Sequence, residues 1–154
     1  MIRDGLASNI TSAPAVAAAP GIFPVILNGI NYAAGVFLDG KIVGDPLAST
    51  VFRKAKPGDV IELFATGLAP SPAGVHPNLT PISGVTVSIG GITVSADFAG
   101  LVAAGEFQIN FKVPQQLANM PEGNYPIAIS VNGVSSPATI NADPPGQLVL
   151  PIQH

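Results

Sequence analysis

Two histidines and nine carboxylates are the residues through which this chain could do acid–base or metal chemistry, since it contains no cysteine. His76 stands beside Pro77 and Asn78, and His154 ends the sequence. A Ser-His-Asp arrangement would need one of these imidazoles, and no G-x-S-x-G turn accompanies either. One imidazole with no carboxylate nearby in sequence falls short of the ligand set zinc requires. Asp59, Glu62, Asp97 and Glu106 could meet in space as paired acids for glycoside hydrolysis. Nine acids spread over turns and strand ends nonetheless read as surface solvation. Asp39, Asp45 and Asp143 fall in turns, and no Asp-rich stretch approaches the oxygen count calcium needs. The glycines of "IGGITVSA" lie between two strands, so no helix N-terminus is set up to receive a phosphate. Arg53, Lys54 and Lys56 form the only basic cluster, and three cations before a turn read as solvation of a strand end. No catalytic, metal-ligating or cofactor-binding residue is therefore assigned, and the ligand-binding residues stay undefined.

The elements that would have to position such groups are strands. A chain of 154 residues matches one domain that can bury a core without a covalent staple. Absence of Cys leaves the redox compartment open. Charged residues make up 10 %, against about 25 % in an average soluble domain. Seventeen Gly and sixteen Pro, spread along the chain, suit many short strands joined by turns. The net charge of −3 gives no pull toward nucleic acid, and no apolar run reaches the length of a membrane span. "MIRDGLASN" does not read as a signal peptide; an exported parent would carry its signal upstream.

"VTVSIGGITVSADF" (85–98) alternates on both sides of Gly90-Gly91, a pair that accepts the positive φ of a two-residue hairpin turn. "YPIAISVNGVSSPATI" (125–140) repeats the device with Asn132-Gly133, and "GVFLDGKIVG" (35–44) with Asp39-Gly40. In "KPGD" (56–59), Pro57 and Gly58 occupy the central positions of a type II turn. "DVIELFATG" follows with both parities mostly apolar, which predicts a central strand covered on both faces, with Glu62 near an end or paired. "PQQLANMP" (114–121) can hold one helical turn. The expectation is an all-β chain of two packed antiparallel sheets.

Five blocks in order, "APGIF" (19–23), "KPGDVIELFATGL" (56–68), "VTVSIGG" (85–91), "FAGLVAAGEFQINFKVP" (98–114) and "YPIAISVNGVSS" (125–136), resemble the uncharacterised Ig-like C-terminal module of acidobacterial secreted proteins. The resemblance covers roughly residues 14–141. It implies an immunoglobulin-like antiparallel β-sandwich and secretion, and supplies no activity. On it, residues 1–13 become an extension or preceding linker, 14–141 the domain, and 142–154 a tail beyond the last expected strand.

Within "GEFQINFKVP" (105–114), Phe107, Ile109, Phe111 and Val113 would fill the core while Glu106, Gln108, Asn110 and Lys112 face outward. Gln108 and Asn110 could grip sugar hydroxyls, but a hydrogen bond to a neighbouring loop backbone is the plainer expectation. The stretch 67–84, with His76, Pro70, Pro72, Pro77 and Pro81, reads as a stiff crossover between sheets ahead of a recognition loop. A carbohydrate-binding module would need an aromatic platform, and this chain has no Trp, two Tyr (Tyr32 and Tyr125) and seven Phe that the core is expected to consume. The sequons at Asn9 and Asn78 would mark exposed loops in a glycosylating host. The apolar ends 8–27 and 147–152 could pair with an open sheet edge, giving a strand-exchanging self-assembly subunit as a second alternative. A Lys–Asn isopeptide bond would appear as the loss of one ammonia. The expected role is that of a non-catalytic structural, anchoring or adhesion module of a larger secreted or cell-surface bacterial protein. Neighbouring domains are its expected partners, with no nucleic acid and no membrane span.

Overall fold

The computed structural model describes residues 2–3, 6–7, 16–70 and 80–154. β1 (Ile2–Arg3) and β2 (Leu6–Ala7) pair with each other as a separate ribbon. The chain then runs through β3 (Gly21–Ile22), β4 (Pro24–Leu27), β5 (Ile30–Ala33), β6 (Gly35–Phe37), β7 (Ile42–Val43), β8 (Phe52–Arg53), β9 (Val60–Thr66), β10 (Val85–Ile89), β11 (Ile92–Ser95), β12 (Phe98–Ala103) and β13 (Glu106–Lys112). A 3-10 turn at Gln115–Asn119 follows, then β14 (Gly123–Val131), β15 (Val134–Ser135) and β16 (Leu148–Ile152). Two seven-stranded sheets result. The front sheet has the order β11-β10-β14-β16-β5-β4 with β15 on β14, and the back sheet β12-β13-β9-β6-β7-β8 with β3 on β9. This is an all-β sandwich.

The turn chemistry accounts for the local pairing. Ile89 faces Ile92 across Gly90-Gly91, whose φ values of 56° and 86° belong to a two-residue hairpin. Asn132 and Gly133, at 50° and 82°, do the same between β14 and β15. Asp39-Gly40 makes a wider loop than expected, because Phe37 pairs with Lys41 and leaves Leu38 outside as well. Asn28-Gly29, at 50° and 77°, closes a further hairpin between β4 and β5. Its Asn-Gly signal stands in "VILNGINYA", a run not among the predicted hairpins. In "KPGD" the Asp59 N–H donates to the Lys56 carbonyl at 3.0 Å with Gly58 at φ 90°, which is the predicted turn.

Two findings depart from the sequence reading. The sheets are mixed: β16 runs parallel to β5 and β7 parallel to β8. Hairpin signals report on neighbours in sequence, whereas these parallel pairs join strands that no short turn connects. The stretch 142–154 is no tail, since Leu148–Ile152 lies inside the front sheet between β14 and β5. The domain therefore extends beyond the expected limit at 141. "QLVLPI" is apolar because β16 is an interior strand: Leu148, Leu150 and Ile152 are buried.

One continuous core lies between the sheets. The back sheet contributes Ile61, Leu63, Ala65, Phe107, Ile109 and Phe111, and the front sheet Val87, Ile89, Ile129, Val131 and Leu150, all of them buried. Each large aliphatic or aromatic side chain removed from water here stabilises the fold by about 1.5–3 kcal/mol. The parity expected for 105–114 holds, with Phe107, Ile109, Phe111 and Val113 inside. β9 is central in the back sheet as predicted, but only one of its faces is buried. Its other parity, Val60, Glu62 and Phe64, is half-exposed, and Glu62 sits mid-strand opposite Asn110 and Val36.

The edge of the sandwich is stitched by strands that change sheets. β3 pairs with β9 in the back sheet, and one residue later β4 pairs with β5 in the front. β5 and β6 make the reverse passage through Ala34, which donates to the Phe23 carbonyl at 2.8 Å and accepts from the Phe64 N–H at 2.9 Å. The crossing leaves Phe23 hydrogen-bonded to the back sheet through its N–H on the Phe64 carbonyl.

Candidate functional site

Within the basic cluster, Arg53 is a structural clamp. Arg53, at the end of β8, donates from Nε to Asp39 Oδ2 at 3.0 Å and from Nη1 to Asp59 Oδ2 at 2.6 Å. The guanidinium also lies 3.5 Å from the centroid of the Phe37 ring. One cation thus ties the Asp39-Gly40 loop to the Lys56–Asp59 turn. The Lys41 N–H donates to Asp39 Oδ1 at 3.0 Å, and with Arg53 beside it this holds the Asp39 carboxyl below its ordinary pKa. Asp59 also accepts the Lys56 N–H at 2.8 Å. This refines the expectation of a solvated strand end: Arg53 is half-buried and paired on both sides.

Asp45 accepts the Leu47 N–H, Glu122 accepts the His154 N–H at 2.9 Å, and the His154 ring meets the Met120 carbonyl at 2.8 Å. Asp97 precedes β12 and Glu106 begins β13. Among the described residues no three His, Asp or Glu side chains stand close enough to share a metal ion. Tyr32 is buried on β5, and burial, with Asp45 nearby, pushes its phenol pKa upward. Asn31, also buried, donates from Nδ2 to the Pro144 carbonyl at 3.0 Å.

Among the described residues, each of the two outer faces of the sandwich presents a row of side chains to solvent. On the front sheet, Ser95, Thr86, Ser130 and Ser135 line up across β11, β10, β14 and β15, with Thr93, Ser88 and Ala128 on the adjacent rung. On the back sheet, Gly100, Gln108 and Phe64 form one rung across β12, β13 and β9, and Phe23 lies opposite Phe64. The Phe98 ring folds back over Gly100, its Cζ 2.6 Å from where a Cβ would stand, so it occupies the end of this rung. The next rung holds Phe98 itself, Asn110, Glu62 and Val36. Gln108 Nε2 donates to Asn110 Oδ1 at 2.8 Å, so the two amides bond each other and not a loop backbone as expected.

The aromatic residues are distributed otherwise than the sequence reading has it. Phe37, Phe107 and Phe111 are buried, whereas Phe52, Phe64 and Phe98 are half-exposed and Phe23 is exposed. Mixed parity hides this: in "ELFATG" both phases of the strand are apolar, and "GIFP" gives no alternation at all.

No family model, curated protein or solved structure matches this chain.

The stretch 67–84 joins β9 of the back sheet to β10 of the front sheet, the crossover expected of it. Its ends are tied down, the Gly67 carbonyl accepting from the Ala19 N–H and the Ile82 N–H donating to the Ala99 carbonyl, both at 2.8 Å. His76, Pro72, Pro77 and Asn78 lie outside the described residues, as does the sequon at Asn9. Beside these ends a groove of about 530 Å³ is lined by Val16, Leu68, Ala69, Ile82, Val131 and Val134. No described helix is long and apolar enough to cross a membrane.

Proposed function

We propose that this chain is a non-catalytic structural, anchoring or adhesion module of a larger secreted bacterial protein, immunoglobulin-like in fold. The observation that carries this reading is the use made of the charged groups. Asp39, Asp59 and Arg53 brace two turns against each other, Asp45 caps a turn, and Glu122 binds the backbone of His154. These hydrogen bonds hold the body together.

The immunoglobulin-like assignment draws on two further points. The Tyr125 hydroxyl, near the start of β14, donates to the Pro121 carbonyl four residues upstream, the same device as the tyrosine corner of such sandwiches. The five sequence blocks add their order and spacing. Secretion and a bacterial source rest on that resemblance alone.

Activity is the direct test. A panel of chromogenic esters, glycosides and phosphoesters should show no turnover proportional to protein concentration. Turnover abolished by Glu62→Gln or His76→Ala would replace this reading with a hydrolase.

A further inference from the structure

The structure assigns the outer face of the back sheet as a binding strip for a neutral chain of pyranose units. The Phe98 ring over Gly100, the Gln108 amide, Phe64 and Phe23 stand on one line across successive strands. At about 4.8 Å between strands that line is roughly 14 Å long, enough for several sugar rings end to end. Sugar rings carry apolar C–H faces that stack on aromatic side chains and a rim of hydroxyls that both donate and accept.

The amide pair supplies the polar part. Its internal hydrogen bond fixes both side chains and consumes one donor and one acceptor. Gln108 Oε1 and the Asn110 Nδ2 hydrogens are left without a partner among the described residues, an acceptor beside a donor, as vicinal hydroxyls require. Reversing both amides leaves the same complement.

Charge and area choose the occupant. The strip contains one charged side chain, Glu62, flanked by Glu106 and Lys112 of opposite sign, so neither a phosphate nor a polyanion is favoured. A second copy of this chain would need about 800 Å² per partner. Three aromatic rings of about 150–250 Å² each, already partly buried, fall short of that. This inference does not depend on the module's being secreted or load-bearing.

The test is titration of the intact chain with neutral hexasaccharides of the gluco, xylo, manno and N-acetylglucosamine series, followed by amide NMR. Saturable shifts at millimolar ligand or below are expected, centred on Phe64, Gln108 and Phe98. Phe64→Ala, and Gly100→Ala, which displaces the Phe98 ring, should each weaken binding about tenfold. Thr86→Ala on the opposite face should leave it unchanged. If Phe64→Ala fails to fold, Gln108→Leu keeps the size and removes the hydrogen bonds. Absence of saturable shifts with every series, shifts centred on Thr86 and Ser130, or binding that no back-sheet variant alters would each overturn the assignment. So would concentration-dependent dimerisation lost on Phe64→Ala, which would make this face a self-interface.

Discussion

The front and back sheets share one pleat and one core, yet differ on the sides they turn away from it. The front sheet shows short hydroxyl side chains, Thr86, Ser88, Thr93, Ser95, Ser130 and Ser135, in two rungs. The back sheet shows Phe23, Phe64 and Phe98 around a Gln108–Asn110 pair. Hydroxyls bond water and lose little rotamer freedom, so the front face is stable as it stands. Aromatic rings left half in water forgo about 25 cal/mol per Å² that burial would contribute. Exposed apolar side chains are common singly; three on one face beside fixed amides are not scattered. The two sheets are also held differently. The front sheet is completed by the last strand of the chain, while the back sheet is braced at one end by Arg53 between two aspartates.

The largest effect that separates the sheets comes from truncation. Ending the chain at residue 141 removes β16, which pairs with β14 on one side and β5 on the other, and takes Leu148, Leu150 and Ile152 from the core. The front sheet would be cut in two. A truncated chain is expected to lose its cooperative thermal transition and its dispersed amide spectrum. A truncated chain that melts as the full one does would restore the shorter domain.

Substitutions within the back sheet come next in size. Phe111 is fully buried, so Phe111→Ala should cost about 3–5 kcal/mol in urea denaturation, by lost transfer energy and an unfilled cavity. Phe64→Ala, from the outer face of the neighbouring strand, should cost about 1 kcal/mol. A ratio near one would mean that Phe64 is a core residue and that the two outer faces do not differ in kind.

How much of this contrast the sequence discloses depends on the range of the interaction. Gly90-Gly91, Asn132-Gly133, Pro57-Gly58 and the alternation of 105–113 are local, and each predicts its turn or its buried parity. β16 is not legible that way, because its partners are more than twenty residues upstream or near the start of the chain, and no turn announces them. The clamp is equally hidden: Arg53, Asp39 and Asp59 look like surface charges until the fold brings two turns to one guanidinium. The outer strip fails for another reason. Phe64 and Phe23 lie where both parities are apolar, so hydrophobicity alone assigns them to the core, and only the strand register turns them out. Gln108 and Asn110 were legible as outward-facing, though not as partners of each other.

The smallest separation of the sheets should appear in acid. The Asp39 carboxylate is held below its ordinary value of 3.8, chiefly by the Lys41 N–H and then by Arg53, so the folded state binds its proton less readily than the unfolded chain does. Stability from this group is then fully present above 3.8 and is lost as pH falls through the depressed value. Among the described residues both ion pairs belong to this end of the back sheet. Hydrogen exchange should therefore accelerate first around Lys41 and Asp59 as pH drops below the ordinary value, after correction for the intrinsic rate. The Gly90-Gly91 hairpin of the front sheet, which contains no carboxylate, should keep its protection over the same interval. Asp39→Asn should flatten the acid response of the back-sheet turns and leave the front hairpin unchanged; equal acid sensitivity of the two regions in the parent chain would show that the clamp does not hold its sheet.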